Sequence, residues 1–247
     1  MPKTSPKSGI GATVLRKEDA RFLRGDGCYV ADVSRVNLLE AAIVRSHVAH
    51  AENLKVEAPK GSEGRFFSGE DLVAAGVRPF HVVSKFSGHK GSDYPHLAID
   101  KLRFVGEAAA VCLGESRAEA EDAAEKVKIS CDPLEPVIDM LRGVDITSPK
   151  VHNDWDDNII LESHFEENTV ALNRSSVSVT RELRMNRQAV NPLEGAAVLA
   201  EWDSQKDRLV VHSSSQIPHV LRNALCECLS LSQNQVHVIA PDVGGGF

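Results

Sequence analysis

Two segments of the sequence carry residue types that could bind an anionic or oxo ligand. In the first, IAPDVGGGF at 239–247, an apolar run leads into three glycines, whose bare backbone can approach a ligand closely and point N–H groups at it. In the second, SSSQIPH at 213–219, the Gln216 carboxamide stands just before a predicted helix, where backbone N–H groups are unpaired. When each segment is considered by itself, the first is explained by a structural turn and the second by a helix cap.

Other familiar signatures of catalysis are missing from the sequence. It contains no Gly-x-Gly-x-x-Gly fingerprint, no phosphate-binding P-loop and no Gly-x-Ser-x-Gly elbow. Asp154, Asp156 and Asn158 copy the first ligand positions of a calcium loop, but Ile159 replaces the required glycine and Phe165 replaces the bidentate glutamate. We therefore assign no metal-ligating residue in this chain.

Composition and charge narrow the class of protein. The chain has 247 residues, 42% of them hydrophobic, and its 28 basic and 35 acidic side chains give a formal charge of -7, which excludes a global positive field for nucleic acid. The five cysteines are scattered and odd in number, which favours reduced thiols and a cytoplasmic location. No run of 18 apolar residues and no signal-peptide core occurs, so neither a membrane span nor secretion is predicted.

The pattern between residues 20 and 140 alternates between strand and helix. Apolar runs at 38–44, 104–113 and 127–131 predict strands. Ser68 with Asp71 and Ser116 with Glu119 have the spacing of helix capping boxes, and Gly76 marks the end of the first of these helices. We predict a mixed α/β domain over this range.

The sequence changes character after a polar stretch at 141–160, which we predict as a linker. Beyond it, the runs 177–184, 196–202, 209–213 and 236–239 predict strands, and a helix with an apolar stripe is predicted to begin at Pro218. The predicted fold class is α+β. Its parts are a flexible strap at 1–19, the domain at 20–140, the linker, and a second module at 161–247.

A set of short motifs in register resembles the large, molybdopterin-binding subunit of the xanthine dehydrogenase, aldehyde oxidase and aerobic carbon monoxide dehydrogenase family. The motifs are RKEDARFLRG at 16–25, VRSHVAH at 44–50, RFVGE at 103–107, DPLEP at 132–136, NRQ at 186–188, NPLE at 191–194, SQIPH at 215–219 and APDVGGGF at 240–247. No single motif is diagnostic. The resemblance runs nearly from end to end of the chain.

The resemblance implies a hammerhead domain over 20–140 and the beginning of the first molybdopterin-binding domain over 161–247. It further implies that a substrate carbon is hydroxylated with oxygen from water, and that electrons leave through iron–sulfur and FAD partner subunits. By position, Gln216 resembles the glutamine that hydrogen-bonds an oxo ligand of the metal. Gly244, Gly245, Gly246 and Phe247 resemble the cofactor loop. In the family the pterin dithiolene holds the molybdenum, so protein metal ligands are not required.

The chain departs from the family pattern at two points. Gly195 stands where the family often has a proline followed by an arginine. Relatives also continue past the glycines into the second cofactor domain, the substrate pocket and the glutamate base, so we assign no catalytic residue here. A carboxylate on Phe247 would repel an anionic cofactor. We therefore expect no activity from this polypeptide unless a remaining C-terminal part, which a separate gene could encode, completes the site.

Two functions stay open at this point. The first is the N-terminal part of a molybdenum hydroxylase that oxidises carbon monoxide, an aldehyde or an N-heterocycle, three substrates that the sequence does not distinguish. The second is a non-catalytic assembly module derived from such a subunit.

Overall fold

The computed structural model describes residues 9–82, 84, 86–163 and 174–246. Contacts divide the chain into two units. The terminal unit comprises Met1–Ser34, Ala189–Arg222 and Gln233–Phe247, so it is assembled from three separate stretches of the chain. The central unit comprises Arg35–Gln188 and Asn223–Ser232.

The described helices and strands leave one long interval, between Gly143 and Val198. The helices are α1 Asp19–Leu23, α2 Gly69–Ala74, α3 Arg117–Glu125, α4 Met140–Gly143 and α5 Pro218–Leu229. The strands are β1 Glu40–Arg45, β2 Ala51–Glu57, β3 Phe66–Ser68, β4 Phe80–Val82, β5 Ser92–Tyr94, β6 Ala108–Gly114, β7 Lys128–Pro133, β8 Val198–Asp203, β9 Arg208–Ser213 and β10 Val236–Ile239. This mixture confirms the α+β prediction.

The central unit is built from antiparallel pairs. Strands β1, β6 and β3 form one sheet in that order, whereas β2 pairs with β7 and β4 with β5. Helix α3 packs against β1 and β6. A compact group of buried side chains forms the core beside β2, and its members are Ala51, Leu54, Ala98 and Leu102.

The capping box predicted for α2 is confirmed. The Ser68 hydroxyl accepts the Asp71 N–H at 3.3 Å, and the Asp71 carboxylate accepts the Ser68 N–H at 2.7 Å. Gly76 follows the helix at φ 79°, the left-handed conformation that commonly ends helices. At α3 only half of the predicted box forms: the Ser116 hydroxyl accepts the Glu119 N–H, but the Glu119 carboxylate accepts the N–H of Glu115.

The cap of α2 gives a first testable prediction. We expect Ser68→Ala to lower the free energy of unfolding by about 1 kcal/mol, because it removes an acceptor for an unpaired N–H at the helix start. Ser68→Thr is the matched control, since it keeps the hydroxyl. Urea unfolding of the two variants measures the difference, and equal loss in both would mean that the cap contributes nothing.

The terminal unit contains a three-stranded sheet with the order β10-β9-β8. Strands β8 and β9 form an antiparallel hairpin, whereas β9 and β10 are parallel and are joined through α5. Because parallel strands end at the same edge of a sheet, residues 214–217 after β9 and residues 240–246 after β10 emerge together. This topology places both of the candidate ligand-binding segments at one edge.

Two strand predictions need correction. Residues 177–184 form no strand: the Val177 and Val179 side chains are 76% and 73% exposed, and no described segment pairs with them. Alternation of apolar residues does not by itself supply a partner, without which backbone groups stay unpaired. The strand predicted from 104 begins only at Ala108, because Gly106 at φ 92° and a Glu107 N–H to Phe104 O bond form a turn first.

Candidate cofactor-binding site

A pocket of about 290 Å³ lies at the edge where β9 and β10 end. Both candidate segments contribute to it, Gln216 from the first and Gly245 from the second. The remaining lining residues are Val190, Pro192, Glu194, Ala196 and Ser214.

Gln216 and the glycines approach each other at this pocket. A Cβ atom added to Gly246 would lie 3.1 Å from the Gln216 Oε1 atom, closer than side chains normally come. Gly245 has φ 153°, a conformation that side-chain-bearing residues rarely adopt. Glycine is thus favoured at Gly245 by the backbone angle, and at Gly246 a side chain would crowd the Gln216 carboxamide.

Hydrogen bonds of two serines fix the segment that carries Gln216. The Ser214 hydroxyl accepts the Ala197 N–H at 2.9 Å, and the Ser214 N–H donates to the Ala197 carbonyl at 3.1 Å. The Ser215 hydroxyl accepts the Ile217 N–H at 3.2 Å, just before the first turn of α5. These bonds hold the backbone on both sides of Gln216, whose own side chain is exposed.

Glu194 contacts the glycine segment directly. Its Oε2 atom accepts the Gly244 N–H at 2.7 Å, and its Oε1 atom accepts the Val30 N–H at 3.3 Å. A Cβ atom on Gly244 would lie 2.3 Å from the Glu194 Cβ and 3.0 Å from its backbone nitrogen. Gly244 thus makes room for Glu194 and donates its N–H to the Glu194 carboxylate.

Asp242 is held by an ion pair with Arg21, 221 residues away in sequence. The guanidinium donates to both carboxylate oxygens, at 2.6 Å for Nη2 to Oδ1, and the Cys28 N–H donates to Oδ2 at 2.8 Å. The Asp242 N–H in turn donates to the Cys28 carbonyl at 3.0 Å. The hydrogen bond from Arg21, with a smaller contribution from Cys28, lowers the pKa of Asp242 from 3.8 to about 2.

The structure brings together three of the five residues predicted for this site. Gln216 and Gly245 line the pocket, and Gly246 lies against Gln216. Gly244 is close by, but its N–H is already donated to Glu194. Phe247 lies outside the described residues.

Sequence reasoning missed the residues that hold the loop. Arg21, Glu194 and Asp242 belong to motifs noted above, but nothing in the spacing pairs a residue near position 20 with one near 240. The available signal was that two of these residues are carboxylates close to a glycine in the sequence: Glu194 stands directly before Gly195, and Asp242 stands two residues before Gly244. The partners of these carboxylates become visible only in the folded chain.

The calcium-like segment has structural contacts of its own. Asp157 pairs with Lys90 at 2.5 Å, and the Asn158 carboxamide accepts the Val151 N–H and donates to the carbonyls of Gly143 and Pro149. Within the described ranges, no group of three or more His, Cys, Asp or Glu side chains is arranged to hold a metal ion. Among the helices that the structure describes, none combines the length and the apolar character needed to cross a bilayer.

Two family models match most of the chain. The model described as the aldehyde oxidase and xanthine dehydrogenase a/b hammerhead domain matches residues 24–135. The model described as the molybdopterin cofactor-binding domain matches residues 151–247, which contain Gln216 and the glycines.

Relatives of known activity match along nearly the whole chain. The nicotine 6-hydroxylase large subunit of Paenarthrobacter nicotinovorans is 32% identical over 96% of this chain and 30% of that protein. The carbon monoxide dehydrogenase large chain of Afipia carboxidovorans is 29% identical over 97% of this chain and 31% of that protein. The crystal structure of quinoline 2-oxidoreductase from Pseudomonas putida 86 matches with a TM-score of 0.88 and 26% identity, over 96% of this chain and 31% of that one.

The chain thus spans about a third of the length of the relatives it matches. The matched region contains a hammerhead domain and the beginning of a molybdopterin-binding domain, in the order that the motifs implied. The chain therefore belongs to the family of large, molybdopterin-binding subunits that includes xanthine dehydrogenases, aldehyde oxidases and carbon monoxide dehydrogenases.

Proposed function

We propose that this chain is part of the catalytic subunit of a molybdenum hydroxylase and supplies one wall of its cofactor site. One observation carries the proposal: Gln216 and the glycines lie together at the edge where two parallel strands end, so that a Cβ atom on Gly246 would lie only 3.1 Å from the Gln216 Oε1 atom. Ligands of open α/β sheets commonly bind outside the carboxyl ends of the strands. A neutral carboxamide and bare backbone suit an oxo-bearing ligand, since neither has to ionise in order to donate.

The residues at the pocket fit a molybdenum–pterin group. The Gln216 carboxamide offers two donors beside Gly245 and Gly246, which themselves carry no side chain. The Asp242 charge is paired with Arg21, and both Glu194 oxygens accept backbone N–H groups. The negative charges nearest the glycines are therefore engaged by the protein.

The chain's own contribution to the reaction is binding and orientation. Gln216 would donate a hydrogen bond to an oxo ligand, and Gly245 and Gly246 would admit the cofactor close to the backbone. When bound, the molybdenum cofactor supplies transfer of oxygen from water to a substrate carbon and accepts the electrons that result. Preorganised donors of this kind stabilise developing charge without rearranging.

The remaining assignments follow from the same proposal. Relatives carry names such as large subunit and complex subunit, and we propose iron–sulfur and FAD subunits as the electron-accepting partners here. The remaining part of the catalytic subunit would supply the base and the substrate pocket. Carbon monoxide, an aldehyde and an N-heterocycle remain the candidate substrates. A cytoplasmic location is proposed because all five cysteines are thiols.

The role of Gln216 can be tested by cofactor content. The chain is produced in a host that makes the molybdenum cofactor, both alone and joined to the remainder of the nicotine 6-hydroxylase large subunit. We expect Gln216→Ala to lower bound molybdenum and pterin about tenfold in the joined protein, since a hydrogen bond to a charged group contributes about 1.5–3 kcal/mol. Elemental analysis and pterin fluorescence measure both contents.

Gln205→Ala is the matched control for this test. Gln205 is an exposed glutamine of the same unit and lies in the β8–β9 turn, away from the pocket edge. The proposal predicts full cofactor content in this variant. If the joined wild type assembled with partner subunits but contained neither molybdenum nor pterin, the assembly-module function would be favoured instead.

A further inference from the structure

The glycine loop, which we define as residues 242–246, is attached to a distant stretch of the chain at two points. That stretch, residues 21–30, is here named the N-terminal brace. Arg21 and Cys28 bind Asp242 at the first residue of the loop. Glu194 binds Val30 of the brace with one oxygen and Gly244 of the loop with the other.

The two attachments act on alternate residues of the loop. Asp242 is fixed by its side chain and by its N–H, which donates to the Cys28 carbonyl at 3.0 Å. Gly244 is fixed by its N–H and by the Glu194 side chain that packs against it. Fixing positions 242 and 244 defines the direction in which the backbone continues to Gly245 and Gly246. Those are the residues that meet Gln216 and the pocket.

The carboxylates of Glu194 and Asp242 are suited to fixing the glycine loop and poorly suited to contacting the cofactor. An ionised carboxylate only accepts hydrogen bonds, and an oxo- and phosphate-bearing group offers it mainly acceptors and negative charge. The protein instead provides the donors, two N–H groups for Glu194 and three donor groups for Asp242. The Asp242 side chain is only 15% exposed, so it is directed into this network.

We propose that Glu194 and Asp242 are positioning residues that fasten the glycine loop to the N-terminal brace and thereby hold Gly245 and Gly246 beside Gln216. The proposal rests on the function proposed above for the choice of ligand. The bracing itself is a property of the free chain. Arg21 takes part as the guanidinium that orients Asp242, and Gly244 as the residue that gives its N–H to Glu194.

Hydrogen exchange of the 247-residue chain tests the bracing without any cofactor. In Glu194→Gln, one of the two acceptor oxygens becomes an amide nitrogen, so only one of Val30 and Gly244 keeps its acceptor. We expect the Gly244 amide to exchange about tenfold faster in this variant and the Asp242 amide to do so in Asp242→Asn, because these are the loop amides whose hydrogen bonds the two attachments hold. Amides of β8 and β9 should keep their wild-type rates, because the effect is confined to the loop.

Two comparisons separate positioning from general stability. Asp207→Asn is the matched control, since Asp207 accepts a hydrogen bond from Gln235 Nε2 at 2.9 Å at the other end of the parallel strands. It should leave the loop amides unchanged. Arg21→Lys should restore part of the protection that Arg21→Ala removes, because it returns the charge but not the two-pronged geometry.

The outcomes distinguish this inference from the proposed function. Faster exchange confined to the Asp242 and Gly244 amides, with lower pterin retention by the same variants in the joined protein, supports the inference. Unchanged exchange in both carboxylate variants, or equal acceleration throughout the terminal unit, overturns it. A wild type that binds no pterin while the variants still loosen the loop would overturn the proposed function and leave the bracing in place.

Discussion

Gly244→Ala is expected to abolish retention of the molybdenum cofactor and to destabilise the chain by about 1–3 kcal/mol. The new methyl group would start 2.3 Å from the Glu194 Cβ and 3.0 Å from the Glu194 backbone nitrogen. Neither atom belongs to the flexible end of a side chain, so the backbone itself has to move. Overpacking of this kind costs about 1–3 kcal/mol.

The displacement also explains the expected loss of the cofactor. Moving Gly244 away from Glu194 breaks the 2.7 Å bond that fixes the loop, and Gly245 and Gly246 follow in sequence. An error of about 1 Å in the position of a binding group can cost orders of magnitude in function. Urea unfolding measures the stability, and the pterin and molybdenum content of the joined protein measures the binding.

Gly195→Ala provides the matched control for this variant. Gly195 lies in the same unit, next to Glu194, and an added Cβ there would meet nothing within 4 Å. We expect this variant to unfold and to bind cofactor like the wild type. Similar losses of stability and cofactor content in the two variants would show that the close packing of Gly244 against Glu194 is not the cause.

The local structure of this chain was largely predictable because short-range chemistry determines it. The capping pair of Ser68 and Asp71, the stop at Gly76 and the helix beginning at Pro218 depend on residues within a few positions of each other. Strand predictions were less secure. Residues 177–184 have the alternation of a strand, but a strand also needs a partner, and that requirement is not written in the segment itself.

The site was predictable only in part, for the same reason. Gln216 and the glycines could be singled out, since each follows a predicted strand and the family resemblance connects them. The brace could not be placed, because its contacts join residues separated by 50 to 221 positions. Pairing over such distances follows from the assembled topology. The domain boundaries at 19, 140 and 160 and the cofactor contacts remain predictions.

The ion pair between Arg21 and Asp242 makes a prediction about acid behaviour. We expect Arg21→Ala to raise the pKa of Asp242 from about 2 toward its ordinary 3.8, because the hydrogen bond from the guanidinium is the largest cause of the depression. The Cys28 N–H should keep the pKa somewhat below 3.8. Carboxyl ¹³C NMR of the wild type and the variant between pH 1.5 and about 5 measures this shift directly.

The sign of the effect on stability follows from linkage. A carboxylate whose pKa is lower in the folded chain than in the unfolded one stabilises the fold fully above the unfolded value, and this stabilisation is lost as the pH falls through the folded value. The contribution of Asp242 should thus be complete above about pH 5 and decline from about pH 4 toward pH 2. In Arg21→Ala this decline should be smaller, because the two pKa values nearly coincide.

The exposed pair of Arg24 and Asp26 offers a control in the same segment. Arg24→Ala removes an arginine three residues away whose Nε atom lies 3.1 Å from the Asp26 carboxylate. It should leave the pKa of Asp242 near 2 and the difference in unfolding free energy between pH 5 and pH 2 as in the wild type. If Arg21→Ala behaved like Arg24→Ala in both measurements, Asp242 would not depend on Arg21, and one of the two attachments of the glycine loop would be refuted.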